Sequence, residues 1–264
     1  MKRFGLSLSG RFIAVFRRNF LVWKKLAVPS MIGNMAEPLI TLMAFGYGLG
    51  ALIGKVDTHG VTGGVPYILF LASGAICMST MNAATFEALY SAFSRMHVQR
   101  TWDGIMNAPV TLDDIVLAEC LWAAFKSLLT ATAILFVILV LGISREWTLI
   151  ALLPLCVLVG VTFSAIALIF NALAKGYDFF TYYFTLILTP MVFISGVYFP
   201  LAQLPVAMQW VAKALPLYHA VELIRPLFLG LWPEQAWLHV LVLVMYAVCA
   251  YLLAMKLTRK RFFG

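Results

Sequence analysis

The chain has 264 residues, of which 63% are hydrophobic and only 11% charged, with a formal net charge of +8. Soluble domains carry roughly 25% charged residues, so a separate soluble catalytic module is excluded and a polytopic membrane protein is expected. The excess of Lys and Arg falls in particular connecting segments, which argues against nucleic acid as the partner of the basic charge.

From the N-terminus, residues 8–28 predict an amphipathic helix lying on the membrane surface, within an N-terminal unit spanning 1–30. Phe12, Phe16, Phe20, Trp23 and Ala27 form one apolar stripe, while Arg11, Arg17, Arg18, Lys24 and Lys25 fall on the other side. Such a helix suits anionic headgroups; it serves either as a simple anchor or also as a contact for a partner subunit.

Residues 31–264 read as one membrane domain. Its uncharged runs are Pro38–Gly54, Val61–Phe86, Ser127–Ser144, Trp147–Ala174, Phe179–Ala212 and Gln235–Met255. A helix needs about 20 mainly apolar residues to cross the hydrocarbon layer, so the fold expected is all-α with six transmembrane helices. In the first span Gly46, Gly50 and Gly54 recur every four residues, a spacing that lets another helix approach closely, though glycine can also simply bend a helix end. Glu37-Pro38 opens that span and places Glu37 near the membrane interface.

Between the second and third runs, residues 99–109 predict a short helix stopped at Pro109. Thr111 then caps the next helix, with Asp114 completing a capping box. Glu87 and Lys126 end their apolar runs at the same face, and Lys126 is expected to pair with Glu87 or Glu119. A kink is expected at Thr189-Pro190 in the fifth run. Past Pro200, two short helical patterns near 204–214 and 218–229 are too short to span, so the segment 200–230 reads as a re-entrant pair on the outer face.

Charge placement orients the chain. Lys2, Arg3, Arg11, Arg17, Arg18, Lys24, Lys25, Arg95, Arg100, Lys175, Lys256, Arg259, Lys260 and Arg261 fall on one side of a six-span topology; Lys55, Arg145, Lys213 and Arg225 fall on the other. The bias places both termini in the cytoplasm. Cys77, Cys120, Cys156 and Cys249 read as small core hydrophobes without metal-ligand spacing. The histidines, His59, His97, His219 and His239, are scattered along the chain and read as solvated or interfacial rather than ligating. No GxxxxGK[ST] is present, so the chain is not expected to bind nucleotide through a P-loop.

Several clusters resemble the permease subunits of type-2 ABC transporters, and most nearly the NodJ-type permeases of rhizobial nodulation-factor (lipo-oligosaccharide) export. They are Gln99-Arg100-Thr101-Trp102-Asp103-Gly104-Ile105 with Pro109-Val110-Thr111-Leu112-Asp113-Asp114-Ile115, and Ser195-Gly196-Val197-Tyr198-Phe199-Pro200-Leu201 through Gln203-Leu204-Pro205. Leu215-Pro216-Leu217-Tyr218-His219-Ala220, Glu222-Leu223-Ile224-Arg225-Pro226, Arg17-Arg18-Asn19 and Val22-Trp23-Lys24-Lys25 join them. Ala202 and Glu222 depart from the pattern.

The resemblance implies a non-enzymatic transport subunit of the bacterial inner membrane, working as a homodimer with two copies of a NodI-like ABC ATPase. ATP and Mg would belong to that partner, with no cofactor held by this chain. Arg100, Thr101, Trp102, Asp103, Ile105 and Pro109 would form the coupling helix that docks on the ATPase. Gly46, Gly50 and Gly54 would pack at the dimer centre. An aromatic, charge-poor path through Phe180, Tyr183, Phe184, Phe193 and Tyr198 would suit a glycolipid or oligosaccharide, although aromatic belts arise at the interfaces of many membrane proteins. The rivals are a drug or antibiotic efflux permease of the same class, an autonomous secondary transporter and an intramembrane enzyme such as a lipid-modifying transferase or protease, which would need convergent polar groups in the membrane interior.

Overall fold

The computed structural model describes residues 10–57 and 63–264, apart from the side chains of Asn34 and Glu37. The expectations for Lys2, Arg3 and His59, and for the Glu37 side chain, lie outside the described residues. Besides short 3-10 helices at Leu201–Gln203 and Pro226–Leu229, ten helices follow in chain order among the described residues: α1 (Phe12–Lys24), α2 (Ala27–Ile53), α3 (Tyr67–Val98), α4 (Thr101–Met106), α5 (Leu112–Val140), α6 (Trp147–Leu173), α7 (Asp178–Ile194), α8 (Val206–Ala214), α9 (Pro216–Ile224) and α10 (Ala236–Phe263). Five of these, α2, α3, α5, α6 and α10, are long and apolar enough to cross a membrane, while α7 is a shorter apolar helix. The fifth run therefore does not form one long helix. A turn with Gly196 at φ +78° ends α7, and the later part of the run folds into α8, with α9 following beyond it.

Among the described residues the protein is all-α except for a pair of two-residue strands, Lys55–Val56 and Val65–Pro66, which pair antiparallel between α2 and α3. Sequence patterning gave no sign of them, because two-residue strands are too short to show alternation.

α3 is the central helix: 78% of its apolar window is buried, against 24% for α2 and 28% for α10. It packs on α5 and α6, and α6 packs in turn on α5 and α10. Small residues make this possible. Ala72, Ser73, Gly74, Ala75, Cys77, Thr80 and Ala84 along α3 are all buried, bringing neighbouring backbones close where lipid offers no hydrophobic drive between helices. Polar side chains then bridge helices through backbone carbonyls: Thr162 donates to Leu243 O (3.2 Å), Ser164 to Cys120 O (3.2 Å) and Asn171 to Ala88 O (2.8 Å).

Three of the helices contain π turns, at Leu42–Leu49 in α2, Glu87–Ser91 and Ser94–Val98 in α3, and Phe184–Leu188 in α7. The last stands where a kink was expected. Pro190 lacks the N–H that would continue α hydrogen bonding, and Thr189 Oγ1 donates to Phe184 O at 3.0 Å within the widened turn. Thr111 caps α5 as its spacing predicted: its hydroxyl accepts from Asp114 N–H and the Asp114 carboxylate accepts from Thr111 N–H, both at 3.2 Å.

Candidate functional site

The end of the bundle that carries α1, α4 and the C-terminal end of α10 holds a buried ionic cluster. Glu87 and Arg95 come from α3, Glu119 and Lys126 from α5. Eight residues of α-helix overshoot two turns by about 80°, and the two wider π turns absorb much of that excess, turning Glu87 and Arg95 toward one another. Arg95 Nη2 lies 2.9 Å from Glu87 Oε1 and 2.5 Å from Glu119 Oε2, and Arg95 Nε donates to Glu119 Oε1 at 2.9 Å. Lys126 Nζ donates to Glu87 Oε2 at 2.8 Å, the first of the two partners expected for it. Two indoles complete the acceptor shells: Trp122 Nε1 donates to Glu87 (2.8 Å) and Trp102 Nε1 to Glu119 (3.3 Å). Charges at such depth persist only when paired and hydrogen-bonded.

α1 lies against this cluster. Its aromatic stripe packs on α5, with Phe16 5.6 Å and Trp23 6.0 Å from the Trp122 ring and Phe20 6.1 Å from Phe125. The stripe read as a lipid-facing surface is thus a protein contact, because α5 offers its own aromatic pair at the same level. A second apolar set on α1 and its following turn, Ile13, Leu21, Val22 and Leu26, remains exposed.

α4 is positioned from several directions. Arg100, at φ +48°, turns the chain into it, and Arg11 bonds Pro109 O beyond its end. The Trp102 ring stacks on Phe262 of α10 at 6.0 Å and is only 1% exposed. Trp102 was expected among the residues that touch a partner; buried this way, it anchors α4 to the bundle instead. The exposed surface there is formed by Arg100, Asp103, Gly104, Asn107, Ala108 and Pro109, with Thr101 and Ile105 half-buried. The C-terminal residues tie in too. Arg259 pairs with Asp113 at the start of α5, while Arg261 donates to the carbonyls of Asn171, Ala172 and Ala174, satisfying the end of α6.

The glycines of α2 differ in environment. A Cβ on Gly46 would lie 2.9 Å from Ile68 of α3, so its close approach is within the chain; Gly50 faces Tyr67 at 3.8 Å, and Gly54 closes the helix at φ +68° with open space around it. The aromatics proposed for a path are not gathered on one surface. Phe180 and Tyr183 are buried inside the protomer, Phe180 against Tyr90 (5.2 Å) and Tyr183 against Phe170 (4.2 Å). Phe184 lies half-buried 4.6 Å from Phe86, Tyr198 is half-buried, and Phe193 is exposed.

At the opposite end Arg225 locks three elements together. Its guanidinium lies 3.8 Å over the Phe70 ring, donates to Ser73 Oγ (3.1 Å) and to Gly196 O (2.6 Å), and borders a cleft of about 450 Å³ shared with Lys213, Tyr218 and Glu222. Lysine cannot reproduce this fork. Arg225→Lys is expected to lose about 1.5–3 kcal/mol, read as a lower melting temperature of the purified protein. His219 and His239 meet there at 2.8 Å between Nδ1 atoms, a contact between α9 and α10 that the scattered sequence positions concealed.

Comparison with known proteins adds an independent finding. Residues 10–229 match the family described as ABC-2 type transporter. The chain is similar to nodulation protein J of Rhizobium meliloti (strain 1021), 46% identical over 95% of this chain and 93% of the relative, and to nodulation protein J of Bradyrhizobium diazoefficiens, 45% identical over 94% and 92%. A more distant likeness, 27% identical over 98% of this chain and 97% of the relative, is to the inner membrane transport permease YadH of Escherichia coli (strain K12).

Proposed function

Since the chain belongs to the ABC-2 type transporter family, a multi-pass membrane family whose permeases work with a separate ATP-binding subunit, we propose that it is the permease of an exporter for a lipo-oligosaccharide or related glycolipid. Two copies form the pathway and two NodI-like ATPases drive it in the bacterial inner membrane, with both termini cytoplasmic. The fold fits this reading if α7 completes a sixth crossing, since about 17 residues is the lower limit for a span, and if α8 and α9 form a re-entrant pair on the outer face. α2, little buried in the protomer, is the natural face for the second copy. ATP and Mg would be held by the partner; the permease supplies packing with two states that nucleotide occupancy biases.

The observation that carries the coupling assignment is the way α4 is built, with its tryptophan rooted in the ionic cluster and a polar face left exposed. A push on that face is transmitted through Trp102 to Glu119, and so to α3 and α5. Asp103→Arg combined with Asn107→Arg is expected to leave the permease folded and in the membrane but to reduce co-purified ATPase at least about tenfold, equivalent to 1.4 kcal/mol. An intact complex with normal ATP-driven export from that double variant would overturn the coupling assignment.

Substrate class rests on similarity to the nodulation-factor branch, supported by the exposed and half-buried aromatics Tyr182, Phe184 and Phe193 along α7. Cells lacking the chain should accumulate an amphiphilic oligosaccharide inside. Accumulation of an administered apolar drug, with oligosaccharide export intact, would instead establish the efflux reading.

A further inference from the structure

We propose that the cleft beneath α1 is a binding site for the phosphate group of an anionic lipid from the adjoining leaflet. The cleft has a volume of about 500 Å³ between α1, α3 and α5, and it continues through Glu87, Tyr90, Ser91 and Lys126 into a second hollow of about 350 Å³ that reaches Ser79, Asn82 and Thr130. Its wall carries the donors of Arg18, Asn19, Trp23, Arg95 and Lys126, beside the hydroxyls of Ser30, Ser91 and Ser94 and the Gln99 amide, which can donate or accept. Glu87 and Glu119, the carboxylates of the ionic cluster, already accept from Arg95, Lys126, Trp122 and Trp102.

Three of these donors stand on α1. Asn19 is 3% exposed, and its Nδ2 has no hydrogen-bond partner among the described residues; the buried Trp23 Nε1 likewise has none. Among the described residues Arg18 bonds only its neighbour Asn19 Oδ1, at 3.1 Å. Buried donors are ordinarily paired, and leaving one unmet costs about 1–3 kcal/mol. Among the described residues the charge is unbalanced in the same sense: Arg18, Arg95 and Lys126 face two carboxylates, Glu87 and Glu119. Burial, and next the nearby positive charge of Arg95, pull the Arg18 pKa below its ordinary value. Each of these features is relieved by one ligand chemistry, an oxyanion with several acceptor oxygens.

The mouth of the cleft selects a lipid over free phosphate. Val22 (57% exposed) and Leu26 (64% exposed) line it, setting an apolar lip beside the polar floor. A phosphodiester could place its non-bridging oxygens at Arg18, beside the solvent-shielded donors of Asn19 and Trp23, while its acyl chains cover the lip. A neutral sugar headgroup would leave the Arg18 charge unmatched. The assignment does not depend on which molecule is exported.

The test uses the full-length protein purified in a neutral, phosphate-free detergent and titrated with phosphatidylglycerol, with melting temperature and native mass spectrometry as readouts. Phosphatidylglycerol is expected to raise the melting temperature and to appear as retained lipid. Arg18→Gln and Asn19→Leu should each weaken that response about tenfold, whereas Arg17→Gln, on the exposed side of α1, should not. Arg18→Gln removes a half-buried charge and leaves the packing of Asn19 and Trp23 in place, so its melting temperature in detergent alone should not fall, which separates loss of the site from loss of the fold. The proposal is overturned if both variants respond to phosphatidylglycerol like the parent protein. It is also overturned if inorganic phosphate or a neutral glycolipid at equal concentration produces the same shift.

Discussion

Glu87→Leu is expected to destabilise the protein by about 3–5 kcal/mol, the loss typical of breaking a buried ion pair on one side. Glu87 accepts from Arg95 on its own helix and from Trp122 and Lys126 on α5, so its removal strands donors on both elements. Lys126 suffers most, because Glu87 is its only salt-bridge partner among the described residues, whereas Arg95 keeps Glu119. Lys126→Met should be milder, about 1.5–3 kcal/mol, since Glu87 retains two donors. The double variant Glu87→Leu/Lys126→Met should recover part of the loss, because it no longer leaves an ammonium without a partner. Thermal melts of the four proteins in detergent form a double-mutant cycle. Additive effects across the cycle would show that the pair contributes nothing as a pair.

The second large effect is steric. A Cβ on Gly74 would sit 2.4 Å from Val197 O and 3.0 Å from Val197 C, backbone atoms that cannot rotate away. Gly74→Ala must therefore displace either α3 or the turn after α7, an overpacking that costs about 1–3 kcal/mol, and Gly74→Val more. The displaced turn contains Gly196, whose carbonyl accepts from Arg225, so the strain spreads to α9 and the cleft beside it. Gly48→Ala is the control, since its added methyl meets nothing within 4 Å. Equal melting temperatures for the Gly74 and Gly48 variants would mean that the α3–turn contact is looser than described.

Gly74 also shows why some important positions were illegible in the sequence. The glycines of α2 stand out because they recur every four residues, yet close approaches to the backbone of another element fall at isolated glycines, Gly74 against Val197 and Gly160 against Ala124. A single glycine among apolar residues carries no periodic signal, and its partner is far away in the chain. The same holds for Trp102. Its place in a short helix between two spans was readable, but which face of that helix points inward depends on Phe262 and Glu119, residues 160 and 17 positions away. The Lys126 partner was legible because both residues close apolar runs at one level of the membrane, where an unpaired charge is not tolerated.

Amino-acid order alone determined the class of this protein: long apolar stretches dictate helices in lipid, Thr111 and Asp114 set the start of α5, and the bias of Lys and Arg suggests its orientation. Those properties are local or additive, so they survive without knowledge of the neighbours. Only the tertiary structure decided that the aromatic stripe of α1 meets α5, that Phe180 and Tyr183 are core residues, and that a donor-rich cleft lies beneath α1. Each of those depends on which helix faces cross, and helix crossing is set by small-residue contacts between distant segments that no single stretch of sequence contains.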